Sequence, residues 1–245
     1  MRLRARGGKR GGGDRSGCSA MSELKRILSE IDAESRKSVG VPENPSLSYY
    51  HHVEPLEAKE NLVTAVKRLL AVQNEATARH CKDVGFLACR VGSRLGLARE
   101  RQVTLLLGGL LHDVGKMAVP TSVLGKSGPL SGEERYLLKM HPLFGFRRVA
   151  YRYRFPSSVA RVVLHHHERI DGSGYPHGLS GEEVDLEVRV LAICDVVDAM
   201  QSKRPYRPAL PTRKVAQEMR RWEGEKYDSD ISKLVRKEIL NDPYL

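Results

Sequence analysis

The stretch VTLLLGGLLHDVGK, Val103 to Lys116, decides how this 245-residue chain is read. From Val103 to Leu111 it is apolar at every position except Thr104, so it offers no polar face to water. A helix that is apolar on nearly all sides belongs in the middle of a globular domain. The segment from Ala98 to about Asp113 is therefore predicted to be a buried central helix, with Gly115 as its C-terminal stop. The apolar run is far shorter than the roughly 18 to 20 residues of a membrane span, so no bilayer crossing is expected.

Outward from that centre, apolar residues keep recurring at helical spacing and no sustained two-residue alternation appears. Upstream, helices are expected from Ser22 to about Arg36, from about Leu56 (Leu62, Val66 and Leu69 share a face) and from about Ala76 to Leu95. Downstream they are expected over Ser131 to His141, Pro142 to Arg152, Ser157 to Glu168, Glu187 to Gln201, Thr212 to Trp222 and Ser229 to Leu240. Loops marked by Gly and Pro, GKSGPLSG, DGSGYPHGLSG and KRPYRPALP, separate them. The predicted fold class is all-α, a helical bundle.

Composition agrees with an ordinary globular chain: 40% hydrophobic, 29% charged and 6% aromatic residues exclude fibrous and wholly disordered classes. The net charge of +11 at first suggests a nucleic-acid partner. Within residues 1–20, however, Arg2, Arg4, Arg6, Lys9, Arg10 and Arg15 stand against Asp14 alone, so +5 of it sits in a glycine-rich tail expected to be disordered. A nucleic-acid partner is therefore not expected. Cys18, Cys81, Cys89 and Cys194 include no CxxC pair, which points to reduced thiols and a cytoplasmic protein.

The chemistry is carried by histidines. His112-Asp113 closes the central helix, and at a helix end neighbouring side chains can turn onto one centre, imidazole to one ion and carboxylate bridging two. Alone, a His-Asp pair is common and is far more often just a favourable helix ending. A second adjacent pair, His166-His167, precedes Glu168 and the loop DGSGYP, and Asp195 sits inside the apolar stretch VRVLAICDVVDAM. A buried carboxylate there costs several kcal/mol unless a metal or a cation satisfies it.

In order along the chain, His80, HDVGK (His112 to Lys116), KMHP around His141, HHERIDGSGYPHGLSGEEV (His166 to Val184), RVLAICDVVDAM and KRPYRPAL resemble the HD-GYP domain, a bacterial branch of the HD metal-dependent phosphohydrolases. The resemblance runs over about residues 77–241 and includes the spacers between motifs. It implies an HD-superfamily helical bundle with a metal centre in its core cleft. Residues 21–75 offer only about two helices, so they are read as a short helical extension and no receiver or sensor domain is expected.

The resemblance further implies metal ligands His80, His112, Asp113, His141, His166, His167 and Asp195, with Asp113 as the catalytic bridge. Five imidazoles and two carboxylates suit two divalent transition-metal ions, iron or manganese first, with zinc, nickel or cobalt as alternatives. Such a centre attracts a phosphodiester and lowers the pKa of a shared water for in-line attack. Lys116, three residues past Asp113, is expected to hold a phosphate oxygen, with Tyr175, Arg204 and Arg207 as further substrate contacts. Asp171 reads as a turn residue. The chain departs from the family in two places: Ala76 stands where some members carry a glutamate for a third metal, and Asp83 where an arginine is usual.

The implied activity is hydrolysis of cyclic di-GMP to linear pGpG, with onward cleavage to GMP left open. The alternatives are a hydrolase of another cyclic dinucleotide such as cyclic GMP-AMP, and a non-catalytic signalling module that binds nucleotide or a partner such as a diguanylate cyclase. Retention of every two-metal ligand speaks against the last. Oligomeric state is left open, a dimer among the options.

Overall fold

The computed structural model describes residues 62–202 and 208–240. The basic tail, the helix expected at 22–36, the start of the next at 56–61, Cys18, Arg204 and Arg207 lie outside the described residues. Among the described residues the chain is helical throughout: α1 (Leu62–Ala71), α2 (Glu75–Arg94), α3 (Arg99–Leu111), α4 (Thr121–Leu124), α5 (Gly132–Lys139), α6 (His141–Arg147), α7 (Ser157–His165), α8 (Leu186–Gln201), α9 (Thr212–Trp222) and α10 (Ser229–Leu240). Short 3-10 turns cover Val114–Ala118 and Gly181–Glu183, and a π turn, Arg148–Arg152, follows α6. No strand forms among the described residues, only two isolated bridges, so the all-α expectation holds.

The apolar run that defined the centre is buried from Val103 to Leu111. Gly108 and Gly109 each cost about 1 kcal/mol in a helix interior relative to alanine. Each fully buried leucine of Leu105, Leu107, Leu110 and Leu111 returns roughly 1.5–3 kcal/mol, so burial wins. The glycines have a packing use as well: a Cβ on Gly109 would fall 2.3 Å from the Cα of Gly85. The backbones of α2 and α3 therefore nearly touch, and His80 comes beside His112 with ring centroids 5.2 Å apart. The second buried helix is α8, whose Val188, Val190, Leu191, Ile193, Cys194 and Val197 pack among α2, α9 and α10.

Several helix ends differ from the sequence reading, and three have one cause. α3 stops at Leu111, not Asp113, and His112 Nδ1 donates to the carbonyl of Gly109 at 2.8 Å. α7 stops at His165, not Glu168, and His166 Nδ1 donates to Val163 O at 2.8 Å. α5 stops at Lys139, and His141 Nδ1 donates to Leu138 O at 2.7 Å, so a new helix, α6, begins at His141 itself. In each case an imidazole caps a last-turn carbonyl of the preceding helix, the Leu138 carbonyl being shared with the Met140 N–H. Gly115 is not a helix stop: it lies in the 3-10 turn, and a Cβ there would meet the His141 carbonyl oxygen at 1.9 Å. The helix expected over Pro142 to Arg152 divides into α6 and the π turn.

Candidate metal centre

The same three hydrogen bonds that end the helices prepare ligands. With Nδ1–H committed to a carbonyl, each of His112, His141 and His166 presents Nε2 as its free lone pair. All three rings are buried, at 1%, 1% and 0% exposure. His141 Nε2 and His166 Nε2 lie 3.2 Å apart, and His166 and His167 face each other with centroids at 4.1 Å.

Asp113 sits between two imidazole groups. Its Oδ2 faces His112 Nε2 at 3.5 Å and His80 Nε2 at 3.9 Å, while its Oδ1 faces His141 Nε2 at 3.4 Å. Ligand atoms of His80, His112 and Asp113 lie within 4.8 Å of one another, as do those of His141, His166 and His167. Asp195, on buried α8, closes the first group, with Oδ1 3.1 Å from His80 Nε2 and 3.8 Å from His112 Nε2. All seven residues singled out as ligands in the sequence thus converge.

The electrostatics favour cations here. Burial pushes the imidazoles of His141 and His167 down to about 4 and about 3, and that of His166 well below its ordinary value, so all three are neutral lone-pair donors near pH 7. Burial alone would raise the carboxyls of Asp113 and Asp195, yet neighbouring cations and imidazoles outweigh it and hold both well below the usual carboxylate range. His112 Nε2 is buried without a hydrogen-bond partner while facing both carboxylates. An orphaned imidazole nitrogen beside two ionised carboxylates is what a divalent transition metal satisfies, so the donor set fits the implied ions.

Two contributors were not assigned from sequence. Asp198 Oδ2 lies 2.5 Å from His80 Nδ1 and orients that ring. Burial pulls His80 down, but Asp195 and Asp198 outweigh it and lift it to about 9. The Asp195–Asp198 spacing, three residues on one helix face, is the signal that could have found it. Glu168, 1% exposed, accepts from the backbone N–H of His177 at 2.7 Å and of Leu179 at 3.1 Å. It pins the DGSGYP loop from beneath, through partners that have no sequence signature.

Within that loop Gly172 takes φ +76°, whereas Gly174 serves close approach, since a Cβ there would fall 2.4 Å from Glu168 Cα. Tyr175 stacks on His167 with centroids 4.6 Å apart. Asp171 accepts from the N–H and hydroxyl of Ser173, a turn residue as expected. Lys116 Nζ lies 2.6 Å from Asp113 Oδ2, on the very oxygen that faces His80 and His112. Cys81, Cys89 and Cys194 form no disulfide, and no described helix is long and apolar enough to cross a membrane.

Comparison with known proteins agrees with this arrangement. The cyclic di-GMP phosphodiesterase response regulator RpfG of Xanthomonas campestris is 34% identical over 196 residues, 80% of this chain and 50% of the relative. The 3'3'-cGAMP-specific phosphodiesterase 1 of Vibrio cholerae is 33% identical over 177 residues, 72% of this chain and 41% of the relative. The chain thus spans half or less of the length of these curated relatives. In fold it is similar to the solved structure of Bd1817, an HDG"Y"P protein from Bdellovibrio bacteriovorus, with a TM-score of 0.56, 22% identity and coverage of 73% of this chain and 58% of that one. The family model described as HD domain matches residues 64–231, which hold every one of the seven converging residues, and the chain belongs to the HD domain family.

Proposed function

We propose that this chain is a metal-dependent phosphodiesterase that opens cyclic di-GMP to linear pGpG in the bacterial cytoplasm. The observation that carries the reading is Asp113, a buried carboxylate whose two oxygens face separate imidazole groups. The family and the names of the relatives support the same reaction class.

In this reading His80, His112 and Asp195 would hold one ion and His141, His166 and His167 the other, with the Asp113 carboxylate between the two groups. Iron or manganese is the expected pair. Ions so held supply Lewis-acid polarisation of the phosphate and a water acidic enough to attack it near neutral pH. The chain does the rest: the carbonyl hydrogen bonds of His112, His141 and His166 fix the ligand tautomers, and Asp198 orients His80. The Lys116 ammonium, which pairs with the Asp113 carboxylate, would take a phosphate oxygen, and Tyr175 stacks on His167 beside the centre. Arg204 and Arg207 enter as substrate contacts through the family resemblance.

Cyclic GMP-AMP is the second reading, favoured by the Vibrio cholerae relative. The test is anaerobic purification with metal analysis, then separation of products after incubation with cyclic di-GMP and with cyclic GMP-AMP. pGpG from the first supports the proposal, and faster turnover of the second selects the alternative. A metal-loaded protein that cleaves neither overturns both.

A further inference from the structure

A pocket of about 300 Å³ lies behind the DGSGYP loop, between α8, α9 and α10. It shares His167 and Tyr175 with the metal centre and is lined beyond them by Glu218, Trp222, Tyr227 and Ser232. Its size falls at the lower end of small-molecule sites.

The chemistry of the lining is that of a base site. Tyr175, Trp222 and Tyr227 bring three aromatic rings to one cavity, with Lys226 over the Trp222 ring at 4.1 Å and Arg169 over the Tyr227 ring at 5.1 Å, and a ring face left open can stack a nucleobase irrespective of sequence. Glu218 and Trp222, four residues apart on α9, share one helix face. Arg221 takes one oxygen of Glu218 at 3.3 Å. Ser232, only 1% exposed, has a buried hydroxyl with no hydrogen-bond partner. A hydroxyl in that position is satisfied by a polar atom entering the pocket.

We infer that this pocket takes a guanine base of the cyclic dinucleotide, with Glu218 accepting from its N1–H and N2–H donors and the Ser232 hydroxyl meeting a second polar atom of the purine. Adenine presents an acceptor where guanine presents N1–H, so the carboxylate selects guanine. The inference rests on the phosphodiesterase reading for its ligand, because the wall shared with the metal centre puts base and phosphate in one molecule's reach.

Trp222 is the only tryptophan of the chain, so its fluorescence reports on the pocket without any turnover. The full-length protein is titrated with guanosine and, separately, with adenosine. A saturable change is expected with guanosine, about tenfold tighter than with adenosine, as befits a charged hydrogen bond made by one base and not the other. Glu218→Gln should erase that preference and raise KM for cyclic di-GMP about tenfold, with kcat within about twofold. No saturable response, equal affinity for the two nucleosides, or a preference that survives Glu218→Gln overturns the pocket. Guanosine selectivity with no turnover of any cyclic dinucleotide overturns the phosphodiesterase reading and leaves the base site standing. Turnover with no guanosine response does the reverse.

Discussion

Asp198 Oδ2 and His80 Nδ1 lie 2.5 Å apart, on the side of the imidazole away from the Nε2 that faces Asp195. In the proposed centre the carboxylate would therefore fix which nitrogen of His80 is offered to a metal. Asp198→Ala should lower metal affinity about 10–100-fold, read by chelator competition, with helical circular dichroism unchanged. Asp198→Asn, which still accepts from Nδ1–H, should recover part of that loss. Wild-type metal affinity in the alanine variant would reduce the pair to a packing contact.

Asp113→Asn keeps the shape of the side chain that lies between the two imidazole groups and removes its charge. Because both oxygens face ligand groups, turnover of cyclic di-GMP should fall by roughly 100-fold or more while the helical fold persists. A folded variant with unchanged metal content and turnover would place the centre elsewhere.

Lys116 Nζ lies on Asp113 Oδ2, so in the proposed centre ammonium and metal would compete for one oxygen. Lys116→Ala should retain bound metal, or bind it more tightly, and lose about 10–100-fold in turnover as its phosphate contact disappears. Loss of metal from this variant would show that the ammonium supports the ion site itself. Arg204→Ala should also slow turnover without emptying the centre.

Stoichiometry is decided at α2. Ala76 supplies no anionic ligand, and Glu75 beside it is held on the exposed surface by Arg79 at 2.9 Å. Two ions per chain are expected by elemental analysis, with pGpG accumulating before GMP. Three ions per folded chain would refute this, and Ala76→Glu is the variant expected to gain one. Chelation should lower the thermal midpoint, since ions that bind only the folded state stabilise it by mass action.

Glu168 supports two backbone N–H groups with one buried carboxylate. Glu168→Ala leaves both without their partner and should cost about 2–4 kcal/mol in urea unfolding. Glu168→Gln should also destabilise, since its amide end sets an N–H against an N–H. A cost below about 0.5 kcal/mol would mean that water replaces the carboxylate.

The central helix was legible because a run without a polar face has only one place to go, and the starts of α9 and α10 follow Pro211 and the capping carboxylate of Asp228. The ends of α3, α5 and α7 were not, since each is set by an imidazole bonding back to a carbonyl, a choice that local pattern does not encode. The seven histidines and aspartates that converge could be named from ordered motifs, through the family resemblance those motifs carry. Asp198 and Glu168 act through His80 and through backbone amides, so neither stands out as a ligand type, and Glu168 has its partners nine and eleven residues away.

The turn after Asp113 and the first turn of α6 touch through Gly115, where a methyl group would sit 1.9 Å from the His141 carbonyl oxygen and 2.5 Å from the Gly145 nitrogen. The gap between the carboxylate of one segment and the imidazole of the other is thus set by main chain against main chain. Side-chain contacts can be adjusted in small steps, a methylene at a time. This one has no step between a hydrogen atom and a collision, so the spacing between the Asp113 turn and the start of α6 is held by the main chain itself.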